Sequence, residues 1–303
     1  MFKSLLVPLD GSALAESALA PAAHLAEALG AAVTLLHVVE RRAPQEVHGE
    51  RHLTEAPEAA AYLDEVAGRA FPPGARVGRH VHAAEVGDVA RSIYEHTGEL
   101  APDLIVMCTH GRSGLRELVV GSIAQRVIAL GATPLLLVRP AEPPRPFACR
   151  RFLVPLDGTP AHEQGLCVAA GLAGPCRAAL RLVAVVPTRG TVSGEQAVLA
   201  KLTPGTVSAM LEMAEEASRD YLARYVEQFR AQGMAVEAEV VRGDPAEAIV
   251  AAAERAAADL IVLATHGRAG MDAFWSGSVA PRLPSLTRIP LLLVPIVEEE
   301  SPK

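Results

Sequence analysis

Asp10-Gly11-Ser12 and Asp157-Gly158-Thr159 each follow an apolar run, Leu5-Leu6-Val7-Pro8-Leu9 in one case and Phe152-Leu153-Val154-Pro155-Leu156 in the other. A carboxylate at the end of such a run can accept hydrogen bonds from ribose hydroxyls or from an adenine amino group. The same residue types also make ordinary turns and helix N-caps, and at this point both readings stand. A second pattern begins at Thr109-His110-Gly111, continues for nine residues and closes at Gly121-Ser122; it returns as Gly267, nine residues, then Gly277-Ser278. Glycines at both ends let backbone N–H groups approach a polyphosphate closely. Ser122 and Ser278 add a hydroxyl, and the helix expected to follow adds the positive potential of its N-terminus. A tight turn plus a helix cap would explain one such loop on its own, but the recurrence of the spacing together with the acid after the first strand favours a nucleotide. Arg112 and Arg268, inside these loops, either pair with phosphate or face water. His110 and His266 recur beside the glycines without a partner that would make them catalytic.

These residues belong to a duplicated chain. APDLIVMCTHGRSGLRELVVGS at 101–122 is matched by AADLIVLATHGRAGMDAFWSGS at 257–278, an offset of 156, whereas the opening segments repeat at an offset of 147. Gly87-Asp88 and Gly243-Asp244 share the larger offset, so the second copy gains about nine residues before that point, in a stretch expected within 187–210. Apolar runs alternate with amphipathic stretches in the βαβ pattern of a parallel sheet covered on both faces. The first copy is expected to place strands near 4–9, 32–39, 76–82, 104–108 and 135–138, with a helix from Ser12 to Gly30. The second is expected to place them near 151–156, 179–186, 235–241, 260–264 and 291–294, with helices near 161–172, 207–232 and 245–257. The fold class is therefore α/β, as two tandem doubly wound five-stranded parallel-sheet domains of Rossmann-like type. The domains are expected at 1–140 and 150–297, with a Pro-rich linker at 141–149 and a tail at 298–303. Open sheets of this kind bind ligands outside the carboxyl ends of their strands, where the order reverses, which singles out the loops after strands one, two and four. Pro281 and Pro284 fall in the last helix of the second copy, and the latter should shorten it by removing an interior hydrogen bond.

Composition narrows the function classes. The 303 residues carry a net charge of −7 and no Lys- or Arg-rich stripe, so nucleic acid is not an expected partner. The apolar stretch at the N-terminus is too short for a signal or a membrane span, which gives an expected cytoplasmic location and no membrane partner. Cys108, Cys149, Cys167 and Cys176 show no C-x-x-C spacing and read as buried thiols. His80 with His82, and His48 with His52, sit at strand and helix spacing without completing a metal-ligand set, so no metal site is expected. The sequence has no Asn and only three Lys, as a high-GC genome, a thermophile or both would produce. No G-x-G-x-x-G follows the first strand and no G-x-x-x-x-G-K-[ST] occurs, which disfavours a dinucleotide dehydrogenase or a P-loop NTPase.

Together the duplicated acid, the glycine loop and the strand pattern resemble the universal stress proteins, in the tandem arrangement with two such domains in one chain. The motif of that family's ATP-binding members is glycine, two residues, glycine, nine residues, then glycine with Ser or Thr. Gly111 and Gly121-Ser122 match its later part, as do Gly267 and Gly277-Ser278, while Cys108 and Ala264 replace its first glycine. The resemblance implies that Asp10 and Asp157 touch the adenosine and that the backbone at Val38 and Val185 pairs with the base, with ATP and Mg²⁺ as the ligand. In the implied strand order, 3-2-1-4-5, residues 134–138 and 290–294 are edge strands. The resemblance further implies that they pair antiparallel as an intrachain pseudo-dimer, leaving dimerisation of the whole chain open. The expected role is a non-catalytic ATP-binding stress-response or signalling module, not an enzyme. Two alternatives remain, a slow ATP hydrolase and a nucleotide-free interaction scaffold.

Overall fold

A computed structural model describes residues 2–41, 46–47, 50–51, 53–109, 121–140, 147–192, 202–265 and 279–296. In the first copy β1 (Ser4–Pro8) leads to α1 (Ala13–Glu16) and α2 (Leu19–Leu29), then β2 (Ala32–Glu40). A two-residue pair, β3 (Glu46–Val47) with β4 (Glu50–Arg51), precedes α3 (Ala56–Ala70), β5 (Val77–Val86), α4 (Val89–Leu100), β6 (Leu104–Cys108), α5 (Ser122–Leu130) and β7 (Leu135–Val138). The second copy runs β8 (Arg151–Pro155), a 3-10 turn (Pro160–His162), α6 (Glu163–Cys176), β9 (Ala179–Val186), α7 (Pro204–Ala231), β10 (Val236–Arg242), α8 (Pro245–Arg255), β11 (Leu260–Thr265), α9 (Leu283–Leu286) and β12 (Leu291–Pro295).

Uninterrupted aliphatic runs become the inner strands, because both faces of a parallel sheet are covered. Every residue of β6 and β7 is buried, as is all of β12 except Pro295. The first copy orders its strands β5-β2-β1-β6-β7 and the second β10-β9-β8-β11-β12, so each has the order 3-2-1-4-5 with parallel neighbours throughout. β7 and β12 then pair antiparallel and fuse the two sheets into one of ten strands. Leu136 faces Leu292, its own counterpart at the 156-residue offset, while Leu135 faces Leu293 and Leu137 faces Leu291. Such reciprocity is the mark of an isologous, pseudo-twofold contact made inside one chain. It removes the two most apolar edges from water. On both faces of the sheet the buried core runs through residues of both copies, and α2 packs against α6 across the seam. The outer edges, β5 and β10, carry Arg79 and Glu85, and Glu237, Glu239 and Arg242. Charges of this kind discourage further edge pairing.

Repeated polar residues sort into frame and site. Asp103 accepts from the N–H groups of Lys3 and Ser4, and Asp259 from those of Arg150 and Arg151, tying strand four to strand one in each copy. Asp88 and Asp244 cap α4 and α8 and also bind Arg126 and Arg282. Tyr62 donates to Glu16 at 3.1 Å and Tyr221 to Glu163 at 3.0 Å, a matched pair hidden in the sequence because the length difference lies between its members.

Several boundaries differ from expectation. The helix from Ser12 breaks at 17–18, though Ser12 caps its start and Gly30, at φ 60°, ends it. α6 begins at Glu163 and runs to Cys176. The extra length of the second copy lies in α7, 28 residues against 15 for α3, so it extends beyond 187–210. No interior Gly or Pro breaks α7 after its first turn, and its N-terminal Val207 and Leu211 bury against Val186 and Val192. Of the cysteines, all free, Cys108 and Cys149 are buried but Cys167 is exposed. α9 has four residues against nine in α5, the shortening expected from Pro284. Residues 141–146 of the linker, and the tail, lie outside the described residues.

Candidate functional site

β1 ends at Pro8, and the chain must turn sharply to enter α1. Gly11, at φ +87°, supplies the left-handed conformation that other residues avoid, and Gly158 does so at φ +81° in the second copy. Neither aspartate caps the helix. Asp10 Oδ1 accepts from the Ser12 N–H at 3.0 Å and from the Ser12 hydroxyl at 2.6 Å, while Ser12 Oγ itself accepts from the Ala15 N–H at 3.2 Å. Among the described residues Asp10 Oδ2 receives no hydrogen bond.

A cavity of about 220 Å³ opens at this point, at the carboxyl ends of β1, β2 and β6. Leu9, Leu36, Val89, Ile93 and Met107 give it apolar walls, and Asp10, Glu40, Thr109 and Ser122 bring polar groups. Val38, Cys108 and Gly121 also line it. The structure thus brings Asp10, Val38, Gly121 and Ser122 together. Val38 has its backbone available for a reason of register. The Leu36 carbonyl accepts from the Leu9 N–H at 2.8 Å, where the β1 ladder ends. Strand geometry repeats every two residues, so Val38 presents its N–H and C=O on the same side, past the end of β1. In the second copy Leu156 and Val183 make the same last bond, and Val185 is placed in the same way.

The Gly121 N–H donates to the Thr109 carbonyl at 2.6 Å, which joins the end of β6 to the start of α5 and sets the N-terminus of α5 over the cavity. The first-turn N–H groups of a nine-residue helix, with Ser122 at its first position, can receive an anion there. Gly111, Arg112, Gly267, Arg268, Gly277 and Ser278, with His110 and His266, lie outside the described residues.

The second copy arranges its acid differently. Asp157 Oδ1 accepts from the Thr159 N–H at 2.9 Å, and Oδ2 lies 2.7 Å from Nδ1 of His162. His162 stands where the first copy has Ala15, a cavity-lining residue. Both oxygens of Asp157 are therefore engaged by its own turn. Aligning the two halves at the 147-residue offset would have shown His in place of Ala.

Two further histidine environments escaped sequence reasoning. His37 is 1% exposed, with Nδ1 2.9 Å from the Leu9 carbonyl oxygen and Nε2 unpaired among the described residues. An orphaned buried group of this kind costs about 1–3 kcal/mol. Burial pushes the His37 pKa down, against the opposing pull of the Leu9 and Leu53 backbone and of Asp10. A lone His in the apolar run of β2 was the visible signal. His80 and His82 are half-buried, because His96 of α4 packs against both rings, its Nε2 2.9 Å from that of His80. No group of three His, Cys, Asp or Glu among the described residues is arranged to hold a metal ion, and none of the described helices is long and apolar enough to cross a membrane.

Comparison with known proteins agrees with this architecture. Universal stress protein YxiE of Bacillus subtilis (strain 168) is 32% identical over 151 residues, 46% of this chain and 100% of that protein. Universal stress protein Sll1654 of Synechocystis is 35% identical over 138 residues, 46% of this chain and 86% of its own length. Among solved structures, a universal stress protein from Archaeoglobus fulgidus DSM 4304 superposes with a TM-score of 0.64 at 17% identity, covering 98% of this chain and 97% of that one. A putative universal stress protein from Pseudomonas aeruginosa UCBPP-PA14 gives 0.66 at 19% identity, with coverage of 97% and 93%. The sequence profile of the Universal stress protein family matches residues 1–139 and again 148–295, so the chain belongs to that family as a tandem two-domain member.

Proposed function

We propose that the cavity of the first copy binds ATP, entering with Mg²⁺ on its phosphates, and that the chain acts as a non-catalytic stress-response or signalling module in the cytoplasm. The observation that carries this reading is the convergence of Asp10, Val38, Gly121 and Ser122 on one cavity at the switch point of the sheet. Its volume, about 220 Å³, falls below the roughly 300–1,000 Å³ of common ligand pockets, which suits the base and sugar with the phosphates outside. Asp10 Oδ2 accepts from a ribose hydroxyl, the Val38 backbone pairs with the adenine edge, and Ser122 with the α5 N-terminus receives phosphate. By the family resemblance Gly111 completes the phosphate end, and Arg112 beside it supplies a guanidinium to pair with phosphate. Asp157, Val185, Gly267, Arg268, Gly277 and Ser278 form the corresponding set in the second copy, where His162 and the short α9 weaken binding.

No described group is placed as a nucleophile with its base, so any hydrolysis is slow, with a kcat under about 1 s⁻¹. Calorimetric titration with ATP and Mg²⁺, together with mass spectrometry of the gently purified protein, tests the reading. Ser122→Ala should weaken binding about tenfold, the equivalent of roughly 1–2 kcal/mol, and Gly121→Val should weaken it further. An absence of ATP binding at millimolar concentration would overturn the proposal in favour of a nucleotide-free scaffold.

A further inference from the structure

His37 occupies the centre of β2 with almost no exposure, and among the described residues Nε2 has no partner in good hydrogen-bond geometry, although the Leu53 backbone stands near the ring. A carbonyl oxygen can only accept, so the 2.9 Å contact to the Leu9 oxygen places the ring proton on Nδ1. Nε2 then carries a lone pair with no described donor. An aliphatic residue would avoid that cost, and the second copy has Ala184 at the equivalent position. The imidazole therefore needs a reason to be in the first copy.

Leu9 supplies one. Its N–H donates to the Leu36 carbonyl at 2.8 Å and its carbonyl receives the His37 proton, so both ends of this residue are pinned just before Asp10. Leu53 holds the turn from the other side. A Cβ on Gly11 would lie 2.8 Å from Leu53 Cδ1, and the Leu53 backbone sits beside the His37 ring. Leu9 and Asp10 both line the cavity, whereas His37 does not. We propose that His37 is a positioning residue for the first site: its Nδ1–H fixes the Leu9–Asp10 peptide, and so the direction in which Asp10 offers its carboxylate. This inference rests on reading the cavity as a nucleotide site. In the second copy, with Ala184, Asp157 is oriented by His162 instead.

Variants of the full chain test it with two readouts. His37→Asn keeps an N–H near the Nδ1 position; His37→Leu fills the volume without a donor, and His37→Gln moves the donor toward Nε2. Titration with Mg²⁺-ATP should give His37→Asn within about threefold of the parent affinity, with the Leu and Gln variants about tenfold weaker at an unchanged or raised melting temperature. Hydrogen exchange of the ligand-free chain should quicken over residues 10–13 in the Leu and Gln variants but not in Asn. A merely structural histidine would lose stability and affinity together and would not distinguish Asn from Gln. Equal affinities and equal exchange among the folded variants would overturn the proposal. If the parent chain bound no ATP, the function reading would fail while the exchange comparison still decided the role of His37. If His37→Leu did not fold, Asn against Gln would settle the matter.

Discussion

Asp10 and Asp157 end equivalent strands and turn on equivalent glycines, yet one lines a cavity beside Ala15 while the other is held 2.7 Å from His162. The difference continues around the two sites. α5 has nine residues and α9 has four; His80, His96 and Glu99 in the first copy are matched by Glu239, Ala252 and Arg255 in the second, where Glu239 and Arg255 form an ion pair at 3.1 Å. The frames share their fastenings, since the carboxylate caps, the ties between strands one and four and the Tyr–Glu bonds occur twice. Duplication has kept what closes the sheet and let the rims diverge, as expected when loops on a rigid scaffold carry function.

At the seam the two copies should respond equally. Leu136→Asp and Leu292→Asp each bury a charge opposite the leucine that remains, and each should cost at least about 4 kcal/mol, seen as a large and equal fall in the thermal midpoint. Unequal losses would mean that the two halves of the seam are not interchangeable. At the rims, inequality is expected. Asp10→Ala should reduce ATP affinity at least about tenfold in calorimetry, whereas Asp157→Ala should leave the strongest binding event unchanged.

Acid should also separate the copies. Burial, reinforced by the neighbouring His96 and more weakly by His82, pushes the His80 pKa below its ordinary value, with Glu99 opposing. Unfolded His80 then binds a proton more readily than folded His80, so its effect on stability is nil well above about pH 6.5 and becomes destabilising as pH falls below it. Thermal unfolding between pH 8 and pH 5 should show this acid limb, and His80→Val should reduce it to the part that buried His37 contributes. The second copy has Glu239 at the equivalent position, paired with Arg255 at 3.1 Å. Least affected should be Arg126→Ala and Arg282→Ala, which break half-exposed ion pairs and should each cost under about 1 kcal/mol in denaturant titrations, alike in both copies.

The frame was legible because duplication and period coincide. Runs such as Leu104 to Cys108 and Leu291 to Val294 are too short for helices and too apolar for an exposed strand, whereas the pairing of the two last strands followed from the family resemblance. Contacts that cross a turn or join two elements were not legible. His162 reaches Asp157 only because Gly158 takes a positive φ, and His96 meets His80 only once α4 lies on β5. The repeating Tyr–Glu bonds were concealed for a related reason, since α7 outgrows α3 between their members.

Twelve residues separate Val138 from Arg151, and this short tether alters the thermodynamics of the β7–β12 joint. Two free copies would meet in a bimolecular reaction, and dilution would part them. Joined in one chain, each edge meets its mate at an effective concentration fixed by the tether, whatever the total protein present. The ten-stranded sheet is therefore insensitive to abundance. A cell holding few copies of this chain has the same fraction paired as one holding many, which a homodimer of single domains cannot achieve.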